Sequence, residues 1–513
     1  MWSELFNHKV DTQFTRLTEF SRTHYVAALV GVLSLGFAAY FFILLLRRIR
    51  SGLFAPLIRL ASVGCLVVPL NALRIVISEE APSLYVYLRQ PLVGVVGTAG
   101  VVGLAALLVF LAVLTVWRFR SVIHRLPLAV AVTFLPLLPV TIGQALWGAL
   151  RSSKTAHPAP ERLSPSLPRT PLNHNRRLAW IVFDEWDYRL TFERRPPGVA
   201  LPELDLWRQQ SLFASHALPP GRHTLTSISA MLTGLPVWRV QPFSRTDAWL
   251  ILHGQPEPVK WSEARSVFRE LAASGDRVAV VGWAVPYCRL YRALLAECCW
   301  WETSVRHTSK GSTLAEITGW QLRSLVETTN FSPFGQSGLA ADHYQTWRSM
   351  MDHLVRLLGD PTLHLIFAHL PVPHAPYFYD RVRKRFDRGN SLAAGYLDQL
   401  EVVDHSVREI REALQRAGLW DRTAVLLTSD HSFRGARALR QAYDPRIPFV
   451  LRFPGMSDAI VYRREFNTIV AGKLVAAILR GALATPSEAA DWLERQRASP
   501  QLSWRPGSFR DDP

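Results

Sequence analysis

Residues Leu178–Tyr188 read Leu-Ala-Trp-Ile-Val-Phe-Asp-Glu-Trp-Asp-Tyr. The short apolar run Leu178–Phe183 predicts a buried strand, and it breaks straight into the carboxylate pair Asp184–Glu185. In an open α/β sheet ligands gather where parallel strands end, so two acids placed there are candidate metal ligands. A second apolar strand, Thr423–Leu427, runs through Thr428 and Ser429 into Asp430-His431. That pair joins a hard oxygen to an imidazole, which favours zinc or manganese over calcium or magnesium.

Between these strands lies Thr224-Leu-Thr-Ser-Ile-Ser-Ala-Met-Leu-Thr-Gly234, preceded by a Pro-Pro-Gly turn and followed by Pro236. This is helix punctuation at both ends. Two roles are open to Thr224. It can cap the helix with its hydroxyl, or it can serve as a nucleophile whose pKa is lowered by the helix N-terminus and a bound divalent cation. A third candidate segment, His369-Leu-Pro-Val-Pro-His374-Ala-Pro, follows the apolar run Leu363–Phe367. Its prolines would hold a histidine rigidly towards a substrate; the alternative is an inert surface turn.

The rest of the chain reads as what anchors and frames those residues. It has 513 residues, 49% of them hydrophobic, too many for one ordinary domain. The net charge of +17 is scattered and accompanied by no nucleic-acid motif, so a membrane surface is a better partner than nucleic acid. Four segments predict transmembrane helices: Tyr25–Leu46, about Leu57–Ile77, Pro91–Trp117 and Leu126–Leu150. Arg47, Arg48, Arg50 and Arg59 lie in one intervening loop, and Arg118, Arg120 and Arg125 in another. Positive loops stay inside, which places the C-terminal region outside the membrane. The predicted organisation is a four-helix transmembrane region over 1–150, a Pro-rich spacer over 151–177, a catalytic domain over 178–498 and a tail over 499–513. Within the domain, strands at Val278–Val281, Leu363–Phe367, Ala424–Leu427 and Phe449–Leu451 alternate with helices at Tyr344–Leu358, Gly395–Ala417 and Thr468–Leu483. The alternation predicts a mostly parallel central sheet flanked by helices.

Taken together, the motifs resemble membrane-anchored members of the alkaline phosphatase superfamily, in the sulfatase-like group that includes phosphoethanolamine transferases and lipoteichoic acid synthases. They are Ile-Val-Phe-Asp184-Glu185, Thr224 ten residues before Gly234, His374-Ala-Pro, Tyr396-Leu-Asp-Gln-Leu-Glu-Val-Val-Asp404, Ser429-Asp430-His431 and Ile447-Pro448 through Gly455. The resemblance covers roughly residues 178–455. It implies that Asp184 or Glu185, Thr224, Asp430 and His431 hold the metal, that Thr224 is the nucleophile, and that His374 contacts the substrate phosphate. It also implies a bacterial inner membrane with the domain in the periplasm.

The chain departs from that pattern in three ways. Formylglycine sulfatases need Cys or Ser at the nucleophile and usually an Arg four residues on, where this chain has Thr224 and Ile228. A histidine often follows the Asp-His pair in the transferases, where this chain offers Arg434, Arg437 and Arg446. Four membrane helices are fewer than those transferases usually carry. In an oxidising compartment Cys288 is expected to pair with Cys298 or Cys299. The resulting expectation is transfer of a phosphoryl-linked group, from a phospholipid head group to a lipid or surface-glycan hydroxyl. A hydrolase using water at the same site, and an inactive scaffold, are the alternatives.

Overall fold

The computed structural model describes residues 3–6, 13–16, 20–48, 107, 114, 118, 137–152, 161–163, 176–303, 311–327, 335–386, 393–439, 441–456 and 459–497. By its packing the chain forms two units. One comprises Met1–Phe6, Phe20–Ala156 and His307–Pro333; the other comprises Asn7–Glu19, His157–Arg306 and Phe334–Pro513.

The second unit carries thirteen strands among its described residues. In chain order they are β1 (Glu161–Leu163), β2 (Arg177–Asp184), β3 (Leu212–Leu218), β4 (Val237–Pro242), β5 (Ala248–Leu252), β6 (Val259–Lys260) and β7 (Val278–Trp283). They continue as β8 (Glu297–Trp301), β9 (Leu365–Pro373), β10 (Thr423–Ser429), β11 (Ile447–Arg452), β12 (Ile460–Tyr462) and β13 (Phe466–Asn467). Ten of them form one sheet in the order β1-β8-β7-β9-β2-β10-β11-β3-β12, with β13 beside β3. The middle of this sheet, β8 through β10, is parallel, while β1 and β11 join it antiparallel. The remaining three, β4 to β6, make a small antiparallel sheet.

Strand β2 is buried along its whole length. Its side chains alternate between two cores, Leu178, Trp180 and Val182 entering one and Ala179, Ile181 and Phe183 the other. A strand covered on both faces needs no polar alternation, which is why its sequence is a continuous apolar run. On one side pack α1 (Thr224–Thr233) and Ala471–Leu479; on the other pack α2 (Gly335–Leu358) and α3 (Ala393–Arg416). The same alternation selects the disulfide. Consecutive residues of β8 face opposite cores, so Cys298 meets Cys288 in the first and bonds to it, while buried Cys299 lies in the second.

One segment expected to be a bare spacer contributes to the sheet. Glu161–Leu163 pairs with β8 as the edge strand β1. The short run lies between Pro160 and Pro165, and prolines are tolerated beside an edge strand because no further strand needs their missing N–H groups.

In the first unit the Arg22–Arg48 helix contains one stretch, Arg22–Phe42, long and apolar enough to cross a membrane. Leu33, Phe37 and Phe41 on it are 53%, 63% and 64% exposed, while Ala27, Ala28 and Val32 nearer its start are buried. The Leu137–Arg151 helix, 15 residues among those described, occupies the end of the expected fourth span. The two middle spans, Leu57–Ile77 and Pro91–Trp117, lie outside the described residues apart from Leu107 and Leu114, as does 126–136 of the fourth. The first unit also includes the Leu314–Glu327 helix, whose Gln321 side chain donates to the His24 carbonyl at 3.1 Å.

Arg177 joins the start of β2 to the end of α2. Its buried guanidinium donates to the carbonyls of Leu357 and Leu358 at 3.1 and 2.7 Å and to that of Leu363 at 3.2 Å. These include the last carbonyls of α2, which have no partner within the helix. Arg177→Met should therefore lower unfolding stability by roughly 2–4 kcal/mol through several stranded buried acceptors, read as a fall in the urea midpoint of the detergent-solubilised protein.

Candidate metal centre and nucleophile

Strands β2 and β10 are adjacent and parallel, with Ser429 opposite Phe183. β2 ends on Asp184 and β10 one residue before Asp430, so the register itself brings Asp184 and Asp430-His431 close to one level of the sheet. The ligand atoms of Asp184, Asp430 and His431 all lie within 4.8 Å of one another, and all three residues are buried. His431 Nε2 is 3.4 Å from Asp430 Oδ2 and 3.7 Å from Asp184 Oδ1.

The turn after β2 is fixed from three directions. The Glu185 N–H donates to Asp430 Oδ1 at 3.0 Å, the Trp186 N–H donates to Ser429 Oγ at 2.9 Å, and the Tyr396 hydroxyl donates to the Glu185 carbonyl at 2.8 Å. Glu185 adopts φ 66°, a left-handed conformation rare for a residue with a long side chain. Glu185 Oε1 accepts from the backbone N–H and Nε of Arg434, each at 3.1 Å. The two adjacent acids, both expected as ligands, thus divide: Asp184 joins the cluster and Glu185 pairs with Arg434.

Thr224 is the first residue of α1, and His223 takes the capping position without a side-chain cap bond. The Thr224 hydroxyl points instead into the acid cluster, 3.3 Å from Asp184 Oδ2 and 3.5 Å from His431 Nε2. Of the two roles open to it in the sequence, capping is the one it does not perform. His374 sits at the rim, its Nε2 4.0 Å from Glu185 Oε2 and its ring centroid 5.4 Å from that of Trp283. The loop reading of residues 369–374 needs correction, because β9 continues to Pro373 and buries His369 inside the strand. Its Nε2 lies 3.7 Å from Asp184 Oδ2.

The electrostatics call for a cation. Burial first, then the Asp430 and Glu185 carboxylates, push the Asp184 carboxyl well above its ordinary range. Burial lowers His431 to about 3 and His369 to about 4, so both rings are neutral beside the carboxylates and provide no countercharge. The His431 Nδ1–H donates to the Ser432 carbonyl at 3.1 Å, which leaves Nε2 as a lone pair facing the acids. Asp184 Oδ1 and Asp430 Oδ2 are buried without a hydrogen-bond partner. Two carboxylate oxygens, an imidazole lone pair and an alcohol oxygen in one dry spot form a donor set suited to a divalent cation, and its mixed oxygen–nitrogen character suits zinc or manganese.

His369, Arg434 and Tyr287 at or beside the site were not singled out as site residues from sequence. The signal for His369 lay in its own segment, where the prolines suggested a loop. Arg434 was visible only as one of several arginines after the Asp-His pair.

Residues 304–479 match the model of the Sulfatase family. No curated protein matches the sequence. Among solved structures, similarity is found to the lipoteichoic acid synthase LtaP from Listeria monocytogenes, with 14% identity over 60% of this chain and 72% of that one and a TM-score of 0.40. The phosphonate monoester hydrolase of Agrobacterium radiobacter gives 15% identity over 60% and 74% with a TM-score of 0.38. The PsFucS1 sulfatase from Pseudoalteromonas sp. gives 15% over 60% and 67% with a TM-score of 0.41.

Two outcomes test this geometry. Asp430→Ala or His431→Ala should abolish divalent-metal uptake measured by elemental analysis, whereas Glu185→Gln should leave the metal stoichiometry intact. Metal affinity should also rise with pH, because a cation competes with the proton on Asp184; a titration at pH 5, 6, 7 and 8 reads the slope. The segment that matches the Sulfatase family model carries His369, His374, Asp430 and His431.

Proposed function

We propose that this protein is a membrane-anchored, metal-dependent transferase that moves a phosphoryl-linked group through a covalent phospho-Thr224 intermediate. The observation that carries the reading is the Thr224 hydroxyl, held at a helix N-terminus and aimed at Asp184 and His431 rather than at its own helix. The ligands in this reading are Asp184, Asp430, His431 and Thr224. A divalent cation bound there would supply positive charge that acidifies the alcohol and draws in an anionic phosphate.

The chain's own groups do the rest. With His431 Nε2 taken up as a ligand in this reading, the Thr224 proton faces Asp184 Oδ2 at 3.3 Å, so its oxygen can be freed for attack. Thr224 Oγ1 forms a bond to phosphorus as the bond from phosphorus to the departing alkoxy oxygen breaks, and that oxygen leaves as an alcohol after taking a proton. An acceptor hydroxyl then attacks phosphorus and Thr224 Oγ1 leaves, regaining its proton. The helix N-terminus favours the negative charge that builds up beside it. His374, partly exposed beside Glu185, would meet the substrate phosphate in this reading.

The donor in this reading is a phospholipid head group and the acceptor a lipid or surface-glycan hydroxyl. The Arg22–Phe42 helix supports it, since a tethered enzyme shares a bilayer with such a donor. The domain would face the periplasm of a bacterial inner membrane. The second reading keeps the same site and lets water take the group, making the protein a phosphodiesterase or other sulfatase-like ester hydrolase.

Thr224→Ala should reduce turnover of a phosphodiester by at least about a thousandfold, while Thr224→Ser should retain measurable activity. Mass spectrometry of the peptide around position 224 after quenching should show a phosphoryl adduct in the wild type and none in Thr224→Ala. A Thr224→Ala variant with full activity would falsify the mechanism. Labelled phospholipid incubated with and without a glycan acceptor separates transfer from hydrolysis.

A further inference from the structure

Beyond β9 the chain carries a short basic turn that the proposed chemistry does not use. Residues 380–386 read Asp-Arg-Val-Arg-Lys-Arg-Phe, four cations against one acid. Backbone pairing of Asp380 with Arg385, at 2.9 and 3.2 Å, closes the turn. Asp380 Oδ1 accepts the N–H groups of Val382 and Arg383, each at 3.0 Å, which fixes the tip from within. Both feet are set in the core. Tyr379 is buried, and Phe386 packs on it at a centroid distance of 4.7 Å and stacks on Trp347 of α2 at 5.7 Å.

A turn built this firmly presents its outer residues in a fixed direction. Val382, at the tip, is 86% exposed, more than any other large hydrophobic among the described residues. The charges are sorted by depth. Arg381 pairs with Asp398 at 2.8 Å and Lys384 with Glu401 at 2.7 Å, and both acids are buried on α3. The Asp380 side chain is 16% exposed, whereas that of Arg383, which reaches Asp380 Oδ2 at 3.4 Å, is 75% exposed. Lys384 and Arg385 are exposed as well. The acids thus lie behind the turn, and its outer surface is cationic around one apolar side chain.

A lone exposed valine means little by itself. What gives this one meaning is the company of the cations, because an anionic bilayer surface offers partners to both at once. Its head-group phosphates attract Arg and Lys, and its acyl boundary takes an apolar side chain. A soluble polyanion would use the arginines and leave Val382 in water. The position agrees with the bilayer. Strands β9 and β2 are parallel with Pro373 opposite Asp184, so the segment after β9 leaves the sheet beside the acid cluster and passes His374 on its way to the turn.

We propose that the 380–386 turn docks the domain on an anionic phospholipid surface, with Val382 entering the head-group layer and Arg383 and Arg385 on head-group phosphates. Docking there holds the mouth of the site close to a layer of lipid. The proposal rests on the membrane-anchored part of the reading above and not on its chemistry.

The test uses the full chain in lipid nanodiscs, made of phosphatidylglycerol mixed with phosphatidylcholine or of phosphatidylcholine alone. A spin label on Val382→Cys reads depth from its accessibility to dissolved oxygen against a water-soluble nickel complex. Cys288 and Cys298 are bonded and Cys299 is buried, so with Cys65→Ser in the background the label goes to position 382. The label should be immersed in the anionic discs and hydrated in the neutral ones, while a label on Val461→Cys, on β12, should stay hydrated in both. Each basic residue near an anionic surface strengthens the contact about fivefold, so Arg383→Gln combined with Arg385→Gln should lower the ratio of immersed to hydrated label about 25-fold. Raised salt should lower it too. A hydrated label at position 382 in both kinds of disc, equal immersion in the two, or immersion indifferent to loss of both arginines would overturn the docking while leaving the anchor standing. A chain retained in neither kind of disc would overturn the anchor and the docking together.

Discussion

Two carboxylates brought to the same level of a buried parallel sheet repel one another, and the rest of the site is arranged around that repulsion. Asp184 and Asp430 meet because β2 and β10 run side by side in register. The neighbouring imidazoles are neutral, and the nearest guanidinium, on Arg434, is engaged by Glu185. A dry cluster of this sort has two ways to relieve its charge, a proton or a bound cation. The first would leave a carboxylic acid beside Thr224 and a poor base for its proton. The second would make the hydroxyl a nucleophile. The chemistry proposed for the protein is thus a consequence of an electrostatic problem created by strand register.

Much of this was legible in the sequence, for an identifiable reason. A strand buried on both faces must be apolar throughout, so the first polar residue after it marks where the chain reaches the edge of the sheet. That is how Asp184 and Asp430-His431 can be found, and the hydroxyl-rich run between helix signals gives Thr224 in the same way. What sequence could not supply was direction. Asp184 and Glu185 are neighbours of like charge, yet Asp184 joins Asp430 and His431 while Glu185 pairs with Arg434. For His369 the prolines of its segment pointed to a loop, whereas β9 continues through them and buries the ring. The choice between Cys298 and Cys299 likewise rested on which face of β8 each one occupies, a property of pairing with β7 that spacing alone does not carry.

Around the cluster, several motif residues serve structure rather than chemistry. Tyr396 secures the turn after β2, stacking on Phe433 at a centroid distance of 3.7 Å while its hydroxyl donates to the Glu185 carbonyl. Asp404 accepts the Leu204 N–H at 2.8 Å at the start of the Pro202–Gln209 helix. Thr428 donates to the Pro448 carbonyl at 2.9 Å and so links β10 to β11. These contacts hold the strand ends still, and a site built from four separate segments works only if its parts do not drift.

The Leu314–Glu327 helix has a practical bearing on how the protein can be cut. It lies in sequence between β8 and α2, yet its packing belongs to the unit that begins at the N-terminus, where Ile317 and Gln321 are buried. A truncated fragment starting near residue 178 would keep this helix and lose the Arg22–Arg48 helix whose His24 carbonyl Gln321 engages. An apolar side chain and an amide would then be bared to solvent on a piece made for solubility. A fragment that instead replaces 307–333 with a short flexible bridge would shed that sticky surface together with its former neighbour.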